Sequence, residues 1–63
     1  MTIREMIQTN DEIKKIIINN LWTEKPIYKG SIKDYEKVRD QYDNQYVDSW
    51  TFYNGKLEVS IEY

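Results

Sequence analysis

The sequence predicts a small α+β domain, with helices on one face of a small antiparallel sheet made of two β-hairpins, in the order α-β-β-α-β-β. Three observations support this fold class. The first residues carry a helix-capping pattern, Pro26 and Gly30 bound a short apolar stretch, and Asn54-Gly55 separates two alternating runs. Because 63 residues can bury only one small core, we expect a single domain over residues 1–63.

The first element is predicted to be a helix that begins after Thr2. Thr2 and Glu5 fit a capping box, in which each side chain accepts a hydrogen bond from the other residue's backbone amide. The apolar residues Ile3, Met6 and Ile7 then fall on one helical face. The polar run 9–11 predicts the end of this helix.

The next apolar stretch, residues 13–22, is compatible with either a helix or a strand. Helical spacing relates Ile13, Ile16, Ile17 and Leu21, whereas the β-branched triplet 16–18 favours a strand. We favour a strand over Lys15–Trp22. The turn before Pro26 and the short run Ile27–Lys29 then predict a hairpin that ends at Gly30.

The segment after Gly30 is predicted to form a short central helix. Ser31 is a suitable N-cap, and Tyr35, Val38 and Tyr42 share one helical face. The helix should end near Asp43.

The last hairpin has the strongest local signal, because Asn54-Gly55 favours a two-residue type I′ turn. Such a turn fixes the register, placing Tyr53 opposite Lys56 and Asp48 opposite Ile61. Tyr53 lies on the outer face of this hairpin. The inner, core-facing side is predicted to contain Trp50, Phe52, Leu57, Val59 and Ile61.

Composition argues against enzymatic chemistry. The chain has no histidine and no cysteine, so the commonest general base and the thiolate and imidazole metal ligands are absent. The oxygen-bearing residues Asp40, Asp43, Asn44 and Asp48 lack the spacing of an EF-hand loop, and a polar helix end explains them more simply. We therefore expect a non-enzymatic protein that uses no cofactor and no metal.

Charge and hydropathy narrow the expected partners and location. A formal charge of −2 argues against non-specific nucleic-acid binding, which depends on phosphate neutralisation. The acidic run 34–48 also permits a minor hypothesis, mimicry of a nucleic acid. The chain shows no signal-peptide pattern and no long apolar run. We expect a cytoplasmic protein that does not bind membranes.

Exposed aromatic and acidic side chains are the predicted partner-binding residues. Tyrosine and tryptophan contribute strongly to protein interfaces, although amphipathic rings can also simply border a small core. The predicted contact set is Trp22, Tyr28, Tyr53, Asp34, Glu36, Asp40 and Asp43. A homodimer is also expected, because the core is small and the C-terminal strand could pair with a second chain.

Three stretches carry a family resemblance: the opening TIREMI, the central IYKGSIKDY, and the closing VDSW and NGKLEVSIEY. Together they resemble small acidic accessory proteins of phages and mobile elements of low-GC Gram-positive bacteria. Some of these are anti-CRISPR proteins or other inhibitors of host defence. The resemblance implies a protein that binds and inhibits a host protein, such as a defence nuclease, and it transfers no specific site residue. Two alternatives are a self-associating accessory protein and a nucleic-acid-binding protein.

Overall fold

The computed structural model describes all 63 residues and confirms the α+β class. The chain forms α1 (Ile3–Thr9), β1 (Lys15–Asn20), β2 (Pro26–Ser31), α2 (Ile32–Tyr35), α3 (Arg39–Tyr42), β3 (Val47–Tyr53) and β4 (Lys56–Ile61). The expected central helix is divided into two single turns, α2 and α3. Tyr35 and Tyr42 are both buried, as their spacing predicted.

The four strands form one sheet in the order β2-β1-β4-β3. Both predicted hairpins are present and antiparallel, whereas β1 and β4 pair in parallel, so the sheet is mixed rather than wholly antiparallel. The C-terminal strand β4 therefore lies between two neighbours. Its backbone is already paired on both sides, which corrects the expectation that it offers an edge to a second chain.

Helix α1 starts as the sequence indicates. The Thr2 side chain accepts a hydrogen bond from the Glu5 amide at 3.2 Å, and the Glu5 carboxylate accepts one from the Thr2 amide at 3.0 Å. These bonds stabilise the charged carboxylate and lower the pKa of Glu5. The capping box fixes the start of α1, and its buried residues Ile3 and Met6 join the core.

The ambiguous stretch 13–22 contains strand β1, which ends at Asn20 rather than at Trp22. The Asn20 side-chain oxygen accepts hydrogen bonds from the backbone amides of Trp22 and Thr23 at 2.8 and 3.3 Å. A side chain that bonds the following amides in this way favours a turn over a continued strand. Trp22 is therefore part of the β1–β2 turn.

The core lies on one face of the sheet, beneath the helices. Its ten buried hydrophobic residues are Ile3, Met6, Ile13, Ile16, Ile18, Tyr35, Tyr42, Leu57, Val59 and Ile61. Side chains alternate between the two faces of a strand. The alternate positions of β1 and β4 lie on the other face, and none of them is buried. They are Lys15, Ile17 and Asn19 in β1 and Lys56, Glu58 and Ser60 in β4.

The last hairpin has the predicted register near its turn. Asn54 and Gly55 have φ values of 52° and 79°, as a type I′ turn requires, and Tyr53 pairs with Lys56. The prediction is wrong at the far end, where Val47 rather than Asp48 faces Ile61, because the register shifts between Val47 and Ser49.

The prediction for Trp50 is also wrong. Trp50 pairs with Val59 on the core side of the sheet, yet 57% of its surface is exposed. Strand β3 is an edge strand, and the buried helix residues pack with the central strands β1 and β4 instead. Phe52, which was predicted to be core, is half-buried.

Candidate functional site

The most strongly connected polar group is centred on Asp43. Its carboxylate accepts a hydrogen bond from the Tyr35 hydroxyl at 2.7 Å and another from Arg39 Nε at 2.7 Å. Asp43 is only 8% exposed and Tyr35 only 1%. Burial and the Asp43 bond raise the pKa of Tyr35 far above its usual value, and the same carboxylate raises the pKa of Arg39. No buried side-chain polar atom of the group lacks a hydrogen-bond partner, which is the arrangement of a structural anchor.

Tyr28 belongs to a layer of tyrosines above the core. Its ring centroid lies 6.0 Å from those of both Tyr35 and Tyr42, and Tyr42 lies 5.8 Å from Tyr63. Burial raises the pKa of Tyr42. The structure therefore places Tyr28 and Asp43, two of the predicted contact residues, within this layer and its anchor instead of on an open surface.

The remaining predicted contact residues are exposed but do not form one surface. Trp22 and Tyr53 are 71% and 73% exposed. Trp22 follows the end of β1, whereas Tyr53 pairs with Lys56 at the start of β4. Because β1 and β4 run parallel, these two positions lie at opposite ends of the sheet. Their roles as contacts stay predictions, and no single partner patch of modest size would cover both.

The acidic residues Asp34, Glu36 and Asp40 are exposed on the segment that contains α2 and α3. Two of them have cationic neighbours, since Lys37 lies 4.0 Å from Asp34 and Arg39 lies 3.6 Å from Glu36. The field of the acidic run is therefore partly neutralised, which weakens the case for nucleic-acid mimicry.

The sheet face opposite the helices carries a cluster that the sequence prediction did not include. We call this uncovered surface the open face. Lys15 pairs with Lys56 across β1 and β4, and Ile17 pairs with Lys29 across β1 and β2. The three lysines surround half-buried Ile17 in a shallow depression of about 520 Å³. Tyr53 lies beside Lys56 and lines an adjoining depression with Lys14.

The lysines of the open face have no ion-pair partners. The three salt bridges of the protein all lie between residues 34 and 43. An acid also lies on this face: Glu58 pairs with Ile17 across β1 and β4, and its carboxylate accepts a hydrogen bond from the Asn19 side-chain amide at 2.8 Å. The open face therefore has a basic end at Lys15, Lys29 and Lys56, although the whole chain is acidic.

A second surface lies along the edge strand β3. On its helix side, Trp50 and Phe52 line an apolar groove of about 270 Å³ together with Met1 and Met6. Met1 is 63% exposed and Trp50 57%, so the groove is open to solvent. This groove is the second candidate surface.

Strand parity could have revealed part of the open face from the sequence. Lys15 and Ile17 are two residues apart on one strand, so they must share a face. What the sequence lacked was a signal for the β1–β4 pairing, which alone brings Lys56 next to Lys15.

Comparison with protein-family models, with curated proteins and with solved structures finds no match to this chain. None of its helices has the length and apolar character needed to cross a membrane. No group of three or more acidic, histidine or cysteine side chains is arranged to hold a metal ion. The candidate surfaces therefore rest on their own geometry and chemistry.

Proposed function

We propose that this chain is a non-enzymatic phage or mobile-element protein that binds and inhibits a host protein through the open face. The observation that carries the proposal is the cluster of Lys15, Lys29 and Lys56 around Ile17, without ion-pair partners and next to exposed Tyr53. The resemblance to phage accessory proteins supports the inhibitory role, and a defence nuclease is the most concrete target.

The cluster is unfavourable for the isolated protein. Lys15 and Lys56 lie directly opposite each other on paired strands, and like charges in that position repel. An acidic patch on a partner would relieve this repulsion and would speed association by electrostatic attraction. Ile17 and Tyr53 add apolar and aromatic contact area at the centre and rim of the patch.

The partner should therefore present acidic side chains around a small apolar projection. Such a surface on a nuclease lies outside its nucleic-acid channel, which is basic, so inhibition through the open face would block a conformational change or an assembly step. The exposed acids Asp34, Glu36 and Asp40 offer the other route, direct occupation of a basic channel. The two routes use different surfaces, so substitutions separate them.

Affinity capture from lysate of a low-GC Gram-positive host tests the proposal. The open-face variant Lys15→Glu/Lys29→Glu should lose a host protein that the unmodified chain retains. The control variant Lys25→Glu/Lys33→Glu changes the net charge equally at two exposed positions outside the cluster and should retain it. Addition of the chain to the captured protein should then lower that protein's activity in proportion to complex formed.

The outcomes distinguish the surfaces. Equal retention by both variants contradicts the open-face proposal. Loss only in a variant with Asp34→Lys and Asp40→Lys assigns the contact to the acidic segment. Loss on Tyr53→Ala, with an unchanged circular dichroism spectrum, places Tyr53 in the contact.

Nucleic-acid binding is the second candidate, and the same lysines with Tyr53 favour it. Lysines contact phosphates and an exposed ring can stack on a base. The net charge of −2 opposes it. Fluorescence anisotropy with a single-stranded DNA and an RNA oligonucleotide at low salt provides the test. Binding that weakens steeply with added salt supports this candidate, and no binding at low salt removes it.

A further inference from the structure

We infer that β3 is a self-association edge: two copies of the chain pair their β3 strands in antiparallel about a two-fold axis at Thr51, forming one continuous eight-stranded sheet. The edge formed by β3 is separate from the lysine cluster, so this pairing does not depend on the partner proposed for the open face. In such a dimer the two open faces would lie on the same side of the joined sheet.

The two edges of the sheet differ in their protection against pairing. Edge strand β2 begins with Pro26, which has no amide hydrogen, and carries Lys29 in its middle. Proline and lysine on an edge are features that prevent strand addition. The β3 segment 49–53 has the sequence SWTFY, with no charge, no proline and no glycine. Only β3 is left unprotected.

The free part of β3 is well defined. Its first residues are covered, because the Val47 amide donates to the Met1 carbonyl at 2.8 Å and Tyr46 bridges to Thr2. Beyond the bulge at residues 47–49, the two-residue turn makes Tyr53 and Lys56 a hydrogen-bonded pair. Hydrogen-bonded and non-hydrogen-bonded pairs then alternate, so the N–H and C=O groups of Trp50 and Phe52 point away from β4.

These two residues can satisfy each other in a symmetric dimer. With the axis at Thr51, Trp50 of one copy faces Phe52 of the second copy, and each of the two equivalent pairs exchanges two backbone hydrogen bonds. The side chains of the same residues form an aromatic row across the junction on the helix side, where the groove leaves Trp50 57% exposed. Backbone pairing and apolar burial therefore favour the same contact.

The charges favour this register over its neighbours. With the axis at Thr51, Asp48 faces Asn54 of the second copy, and no like charges meet. An axis at Trp50 would instead place Asp48 opposite Phe52, against an apolar ring. An axis at Phe52 would place Trp50 opposite Asn54 and lose the aromatic pair. The edge is self-complementary about Thr51.

Cysteine cross-linking tests both the edge and the register, and the chain contains no other thiol. In a non-hydrogen-bonded pair at the axis, the two Cα atoms at position 51 lie about 4.5 Å apart, within the range of a disulfide. Thr51→Cys should therefore form a disulfide-linked dimer under mild oxidation. The matched control is Ser49→Cys, exposed on the same strand and face, where the two thiols would lie roughly 14 Å apart.

The expected result is cross-linking of Thr51→Cys at least about tenfold faster than of Ser49→Cys, as an intramolecular reaction within a dimer requires. The unmodified chain should also show twice its 7.7 kDa mass in light scattering at high concentration. Thr51→Lys should restore the monomer, because the two lysines of a dimer would meet at the axis and repel each other. Within one chain the lysine at position 51 faces Glu58, and this opposite charge favours the folded monomer. Thr23→Lys, in the β1–β2 turn, should leave the dimer intact.

Equal cross-linking by the two cysteine variants overturns the proposed register. A monomer mass for the unmodified chain up to millimolar concentration overturns the dimer. Neither result affects the open-face proposal, whose substitutions Lys15→Glu and Lys29→Glu lie outside β3.

Discussion

The Asp43 anchor makes the sharpest stability prediction, because an exposed acid three residues away provides a matched control. Asp43→Ala removes the acceptor of both Tyr35 and Arg39. A buried hydroxyl left without a partner costs about 1–3 kcal/mol. The Arg39 bond adds at most about 1 kcal/mol, since the Arg39 side chain is 32% exposed and water screens the pair.

The expected loss is therefore about 1–4 kcal/mol of the free energy of unfolding. A chain of 63 residues has a total stability of roughly 3–9 kcal/mol, so the variant should lose a large fraction of its stability. Asp40→Ala removes an equal charge from an exposed side chain without a hydrogen-bond partner and should change stability by no more than about 0.5 kcal/mol.

Urea unfolding followed by far-ultraviolet circular dichroism measures both variants. Tryptophan fluorescence is less suitable, because Trp22 and Trp50 are both exposed and report weakly on the core. In a Tyr35→Phe background, Asp43→Ala should cost less, because the hydroxyl that it would strand is absent. Stabilities of Asp43→Ala and Asp40→Ala that agree within error would refute the anchor.

Three further predictions follow from local geometry. Because the pKa of Tyr35 is raised, the folded chain keeps a proton that the unfolded chain releases above a pH of about 10. The free energy of unfolding should therefore fall as pH rises above that value, and it should fall less steeply in Tyr35→Phe. Urea titrations at pH of about 9 and about 11 measure both slopes. The lowered pKa of Glu5 acts in the opposite direction. The contribution of Glu5 to the free energy of unfolding is present above the ordinary pKa of a glutamate and disappears as pH falls through the lowered pKa of the folded chain. Glu5→Gln should therefore reduce the loss of stability in urea titrations at acidic pH. Gly55→Ala should lower the stability by about 1–2 kcal/mol, because φ is +79° and a Cβ atom would lie 3.3 Å from the Lys14 side chain; unchanged thermal unfolding would show that the turn tolerates a side chain.

Local signals explain why much of the fold could be predicted from the sequence. The capping box of Thr2 and Glu5 fixed the start of α1, and Asn54-Gly55 fixed the register of the last hairpin near its turn. Both depend on residues close together in the chain. The β-branched triplet 16–18 predicts a strand over Lys15–Trp22, and only the last two of these residues belong to the turn instead.

The errors arise where a position depends on distant parts of the chain. Alternation correctly placed Trp50 on the core side of β3, but it could not show that this position of the edge strand stays exposed. Asp43 looked like an exposed helix end, and only the fold brings the Tyr35 hydroxyl to it. The parallel pairing of β1 with β4, which creates the lysine cluster and removes β4 from the edge, has no local signature at all.

Lysine footprinting of the captured complex tests whether the open face is the contact surface for a protein partner. Each lysine is acetylated in the free chain and in the complex, and its labelling is compared by mass spectrometry. Labelling of Lys15, Lys29 and Lys56 should fall on complex formation, whereas labelling of Lys25 and Lys33 should stay unchanged. Unchanged labelling of the three clustered lysines in a fully formed complex would contradict the open-face proposal.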